Sequence, residues 1–465
     1  MNLPQHIRLD AWTGTEAAHG EVAEEAANWG AGQAGLPPSQ KRLAFGPPAS
    51  ETCWQDPAVG YGVLLPENHS PGLTDAQKAA GADAPEPVHR LLAARPGSVV
   101  LRWSQEMEDR VLRRYYADGS PPNDPAVGLS DFGVAPDRLP RYVAIIGGPQ
   151  DIPWSVQYSL GTRHSVGRIP LAGEALAHYV DALIAGWPEA LAELDRALMW
   201  TVDHGEDDMT HLMRSVISGP LADALSTPPP LDEYQEIAGD AATGEALLAS
   251  LAQSPPGLVV TSSHGMTGPS GDLAAMRATL GLPVDRNHVP LDAGALAAAL
   301  PSGCVWFAQA CCSAGGAGRS LYSSLLHPEW SACQTVEAVA ALGPMTAPAA
   351  VAALGRKQPV RAVIGHVEPT FSWTLEAPDT PQPLGGEIVA ALSSHLYAGE
   401  PLAYAFREYR AAVGQLHTSW FTLNDRLRGG DASVIEKMTR LRLSAIDRQS
   451  LVLLGDPTVS LPPLL

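Results

Sequence analysis

Val259-Val260-Thr261-Ser262-Ser263-His264-Gly265 and, further along, Val305-Trp306-Phe307-Ala308-Gln309-Ala310-Cys311-Cys312-Ser313 are the stretches whose reading decides the fold of this chain. In each, a run of apolar and β-branched residues ends in a reactive side chain followed by small residues. That is the pattern of a buried strand delivering a functional group to the carboxyl edge of a sheet. A histidine and a cysteine would meet there, and small neighbours would let backbone N–H groups approach a substrate.

The chemistry needs both side chains. A free thiol, with a pKa of roughly 8.5, is mostly protonated at neutral pH, so a neighbouring imidazole must take its proton or stabilise the thiolate. The reading makes His264 the general base, Cys311 the nucleophile and the Gly265 amide the leading oxyanion donor, with the amide of the nucleophile as the second. One such donor contributes about 3 kcal/mol to transition-state stabilisation. Cys312 is the rival nucleophile. Neighbours on an extended chain point to opposite faces, so only one of the pair can face His264.

The histidine lies 47 residues upstream of the cysteine, close to the caspase pattern of Gln-Ala-Cys with a histidine about 50 residues before it. Three further segments extend the likeness: Val143 to Pro153 with Val166-Gly167-Arg168-Ile169-Pro170, then Ala362-Val363-Ile364-Gly365-His366, then Leu454-Gly455-Asp456-Pro457-Thr458. From about residue 140 onward the chain resembles the gingipain-like branch of the caspase-fold (clan CD) cysteine peptidases. The resemblance implies an α/β/α sandwich with a mostly parallel central sheet. It also implies a thiol endopeptidase with a Cys-His dyad, without a cofactor, acting on protein or peptide substrates. Cys312-Ser313 departs from the basic-glycine pair that follows the caspase cysteine, so caspase specificity is not carried over.

Asp203-His204-Gly205-Glu206-Asp207-Asp208 follows an expected strand and precedes a helical pattern from Met209 to Ala222, which puts it at the same sheet edge. The resemblance to arginine-cleaving relatives implies that Asp208, with Asp207 as the fallback, receives a substrate arginine through paired hydrogen bonds. An aspartate there is equally a helix N-cap. The same resemblance makes Trp373 an aromatic wall of that pocket, suited to a flat guanidinium; packing of its own loop is the competing role. His366 and Glu368 read as structural or subsite groups, and His204 and His288 lack a comparable strand setting. The expected preference is arginine before lysine.

The 30 basic and 50 acidic residues leave a net charge of −20, which argues against nucleic acid or an anionic membrane as the main partner. Five cysteines, two adjacent, do not form a disulfide framework. The first residues lack a basic region followed by an apolar run, and no apolar stretch reaches about 18 residues. The expected setting is therefore cytoplasmic. There is no phosphate-binding loop, no His-Glu-x-x-His and no zinc-type Cys-x-x-Cys, nor a loop specific for calcium.

Three segments are expected: an irregular leader over 1–95, with breakers at Gly35-Leu36-Pro37-Pro38 and Gly46-Pro47-Pro48; an α/β subdomain over 96–195, with helical spacing from Glu174 to Leu194; and the catalytic region over 196–465. An intracellular endopeptidase needs restraint, so a regulated cascade in antiviral defence or cell death is the expected context and an activating protease an expected partner. Asn424 to Asp431, with two arginines beside Gly429-Gly430, is the expected internal cleavage site. The alternative is a catalytically inactive caspase-fold protein that binds peptides.

Overall fold

A computed structural model describes residues 6–12, 17–21, 49–226, 231, 233–322, 325–326, 328–377, 380 and 382–463. The chain divides into two compact units, Met1–Ser50 and Glu51–Leu465. In the first, His6–Trp12 and Ala17–Glu21 pair as an antiparallel hairpin; the Gly-Pro breakers at 35–38 and 46–48 lie outside the described residues.

The second unit is built on eleven strands. In chain order they are β1 (Tyr61–Pro66), β2 (Val99–Trp103), β3 (Arg113–Arg114), β4 (Tyr142–Ile146), β5 (Ser165–Ile169) and β6 (Glu193–Thr201). They continue with β7 (Glu233–Ala238), β8 (Pro256–Ser262), β9 (Val305–Gln309), β10 (Ala362–His366) and β11 (Leu451–Gly455). Their spatial order is β3-β2-β1-β4-β5-β11-β10-β9-β8-β6-β7. Neighbours are parallel except at the edge pair β2/β3 and at β10/β11 in the middle. The sheet thus consists of two parallel blocks running in opposite directions, and β11 crosses over to complete the first block beside β5. Strands β4, β5, β8, β9, β10 and β11 are buried at every position. Near-continuous apolar strands of this kind require cover on both faces, so the architecture is an α/β/α sandwich with a mostly parallel sheet.

Residues 61–94, read from the sequence as irregular, supply a central strand and the helices Asp75–Ala79 and Glu86–Ala94. They are tied to β11 by a buried cluster. Asp456 accepts from Tyr61 Oη at 2.7 Å and from Arg95 Nη1 at 3.1 Å, and the Asp456 amide donates to Tyr179 Oη at 2.8 Å. The eleven-stranded sheet also runs through both 96–195 and 196–465, and a separate two-stranded ribbon pairs Gly315–Gly316 with Met345–Thr346. The helical spacing after Glu174 ends earlier than expected: the helix is Gly173–Ala185, stopped by Gly186 in the left-handed region, and Glu193 already opens β6.

The family-like landmarks are structural here. Arg168 is fully buried and donates to Gly147 O, Pro153 O and Gln157 Oε1, fastening the turn after β4. Gly167 sits where a Cβ would come within 2.3 Å of Gly455 O, so only glycine lets β5 and β11 close up.

Candidate active site

Strand register brings the two reactive groups together. Ser262 at the end of β8 pairs with Gln309 at the end of β9, and His264 and Cys311 each lie two residues beyond that pair. Both open into one cleft, beside Met209, Met213, Phe371 and Leu375. The adjacent cysteines part as the alternation requires. Cys311 is half-buried at the cleft, whereas Cys312 is fully buried among Met276, Leu280, Val339 and Leu342, with φ at +58°. Ser313 Oγ donates to Ala308 O and accepts from the His366 amide, fixing the turn after Cys311.

Gly265 packs directly on the backbone of Cys311. A Cβ at position 265 would lie 1.9 Å from Cys311 O and 2.8 Å from Cys311 N. The amides of Gly265 and Cys311 make no backbone hydrogen bond among the described residues. Two such N–H groups side by side are what an oxyanion hole requires.

Asp208 caps the helix that begins at Met209 and continues through a π turn, Arg214–Ser218, to Ser226. Its Oδ1 accepts from the Thr210 amide at 2.8 Å and from Thr210 Oγ1. Its Oδ2 faces His264 Nε2 at 3.0 Å. Partial burial works to raise the carboxyl, but the bonds from Thr210 and His264 outweigh it and hold it at about 2. The sequence reading therefore found the residue but offered it to the substrate; its carboxylate meets the imidazole instead. A carboxylate opposite Nε2 calls for a proton there, which leaves Nδ1 with the lone pair. Asp207 is exposed at the adjoining position. Trp373 is half-buried and stacks on Phe371 with ring centroids 4.8 Å apart.

Over the other side of His264, His204 stacks at 5.9 Å and 13°, and His288 stacks on His204 at 4.2 Å and 19°. Arg286 Nη1 donates to His204 Nδ1 at 3.2 Å. Burial, and then the neighbouring His288, lower the pKa of His204, which suits a neutral ring packed against the base. The sequence reading assigned these two histidines no role: His204 lies in the loop after β6 and His288 in the turn before Leu291. Thr370 was missed altogether: its amide donates to Cys311 Sγ at 3.3 Å.

His366 is buried beside Ser450 Oγ, and burial, followed by the Arg448 charge, lowers it to about 3. It is a neutral structural group. Among the described residues no group of three or more His, Cys, Asp or Glu side chains is placed to hold a metal, and no helix is long and apolar enough to cross a membrane.

Over most of its length the chain is similar to gingipain R. The solved structure of that Arg-specific cysteine proteinase shares 14% identity, with 87% of this chain and 78% of the other covered and a TM-score of 0.43. The complex of Porphyromonas gingivalis RgpB pro- and mature domains shares 14% identity over 86% and 79%, with a TM-score of 0.38. No family model and no curated protein matches the chain.

Proposed function

We propose that the protein is a cysteine peptidase. The observation that carries this reading is the meeting of Cys311 and His264 in one cleft at the ends of in-register strands, with Asp208 bonded to the imidazole. In the proposed reaction His264 Nδ1 takes the Cys311 proton and the sulfur attacks the substrate carbonyl carbon. The oxyanion that forms is held by the Gly265 and Cys311 amides. Protonated His264 then gives its proton to the leaving amine, and water, activated by the same imidazole, hydrolyses the thioester. Asp208 keeps the ring in the tautomer this requires and stabilises the imidazolium.

Cleavage after a basic residue, arginine before lysine, is the specificity we propose. With Asp208 committed to His264, the exposed carboxylate of Asp207 is the candidate for the guanidinium, and Trp373 for the flat wall. Met209, Met213, Phe371 and Leu375 would cover the methylene stem. Restraint of such an enzyme within a proteolytic cascade is part of the same proposal. A peptide-library cleavage profile tests activity and specificity together. Cleavage after leucine or methionine with none after arginine would hand the pocket to the apolar lining and leave only the Cys–His chemistry. No cleavage of any peptide, together with no labelling by a thiol-reactive peptide probe, would favour the peptide-binding alternative.

A further inference from the structure

The loop after β10 touches the proposed nucleophile directly. Thr370 donates its amide to Cys311 Sγ at 3.3 Å, its hydroxyl lies 3.5 Å from the sulfur, and its carbonyl lies 3.7 Å away as an acceptor for the neutral thiol. The loop is itself held from below by one carboxylate. Asp447 is fully buried and accepts from the Phe371 amide at 2.9 Å, the Thr374 amide at 2.7 Å and Thr374 Oγ1 at 3.0 Å, with Tyr322 Oη at 3.4 Å. Next to it, Arg448 donates to Thr374 O and Leu384 O, so the helix Ile435–Gln449 grips the loop at several points.

Resting on the reading of Cys311 as the nucleophile, we propose that Thr370 is a catalytic residue that stabilises the thiolate, and that Asp447 is the positioning residue that sets its distance from the sulfur. The physical need is plain. Burial pushes the Cys311 thiol up, and the hydrogen bonds from Thr370 offset only part of that rise. When the proton leaves, the amide and the rotated hydroxyl of Thr370 can both donate to the anion, and bonds to a charged acceptor are the strong ones. A backbone donor is useful only if its loop is fixed, and the fixing group here is the Asp447 carboxyl, with three short bonds to Phe371 and Thr374. The ionisable groups around the sulfur are His264 and His366, which line the same cleft, and Asp447 beneath it, with Glu368 close to Cys312.

The test is the pH dependence of iodoacetamide alkylation at Cys311, followed by mass spectrometry on the full chain in a Cys53→Ser background. Thr370→Val is expected to slow alkylation at pH 7 about tenfold and to move its midpoint up by about one pH unit, the effect of one hydrogen bond to a charged group. Thr370→Ser keeps the hydroxyl and restores the wild-type profile. Asp447→Asn, checked for folding by circular dichroism, also removes a negative charge that raises the Cys311 thiol, so an upward shift of the midpoint in that variant, against the loss of the charge, is the expected sign of a loosened Thr370 loop. A Thr370→Val profile unchanged from wild type, or a midpoint that falls in folded Asp447→Asn, would overturn the proposal. Because alkylation is measured without peptide, its failure is distinct from failure of the peptidase reading: active enzyme with unshifted profiles removes only the role of Thr370, whereas shifted profiles without peptide cleavage remove only the peptidase.

Discussion

Asp208 Oδ2 lies 3.0 Å from His264 Nε2, bridging 56 residues of sequence. Asp208→Asn preserves the helix cap but places an amide opposite the imidazole. It is expected to lower kcat by about 10²- to 10⁴-fold with little change in KM. Kinetics on arginyl and non-basic peptides separate this role from substrate binding. A loss confined to the KM of arginyl substrates would return Asp208 to the pocket.

Cys311→Ala and His264→Ala are each expected to abolish peptide cleavage, since neither group acts without the other. Cys312→Ala should retain most activity while costing about 1 kcal/mol of stability through its loss from the Met276–Leu280 cluster. An active Cys311→Ala with an inactive Cys312→Ala would move the nucleophile by one residue.

Gly265→Ala forces a methyl group against the Cys311 carbonyl, 1.9 Å away. Backbone must move to make room. A loss of at least about a hundredfold in kcat/KM is expected, with destabilisation of about 1–3 kcal/mol. Full activity in a folded Gly265→Ala enzyme would show that the two strand ends do not need their present spacing.

How far the site could be read in advance depended on how local each signal was. His264 and Cys311 were legible because each ends a buried strand in contiguous sequence, and β8, β9, β10 and β11 all lie where periodicity puts them. Asp208 was legible as a polar group at the right edge, but its partner was not. An N-cap aspartate can turn either oxygen outward, and only the packing of the helix on the sheet decides what stands there. Thr370 and Asp447 left no trace, since their roles depend on a loop and a helix joined across 77 residues. Tyr61–Pro66 was lost for a simpler reason: breakers on both sides concealed a short apolar run. The expected cleavage segment is less open than its composition suggests, because the helix Arg407–Arg428 runs through both arginines and Arg426 pairs with Asp431 just past the turn.

Burial raises the Glu368 carboxyl to about 8. Below about pH 4 the carboxyl is protonated in folded and unfolded chains alike and has no effect. As pH climbs toward 8 the unfolded chain releases this proton while the folded chain keeps it, so stability falls with rising pH. Asp447, raised to about 7 by burial, acts with the same sign. Glu368→Gln is expected to match wild type at pH 4 and to melt at least about 2 °C higher at pH 8.5. An offset in Tm that stays constant across pH would exclude the linkage.

Asp456→Ala leaves Arg95 buried without its carboxylate. Urea unfolding should report a loss of about 3–5 kcal/mol. A variant within 1 kcal/mol of wild type would mean that the link between β11 and residues 61–95 contributes little.

The crossing of β11 into the first block has a consequence for the order in which the protein comes into being. His264 and Cys311 leave the ribosome well over a hundred residues before Asp447 and Leu451–Gly455. Until that late segment arrives, β10 has no antiparallel neighbour, the loop bearing Thr370 has no anchor, and the two oppositely running blocks have nothing to join them. A nascent chain therefore carries its reactive thiol for some time in an unassembled cleft. For a peptidase of the kind proposed above, whose neighbours at that moment are other newly made polypeptides, this delay would itself be a form of safety.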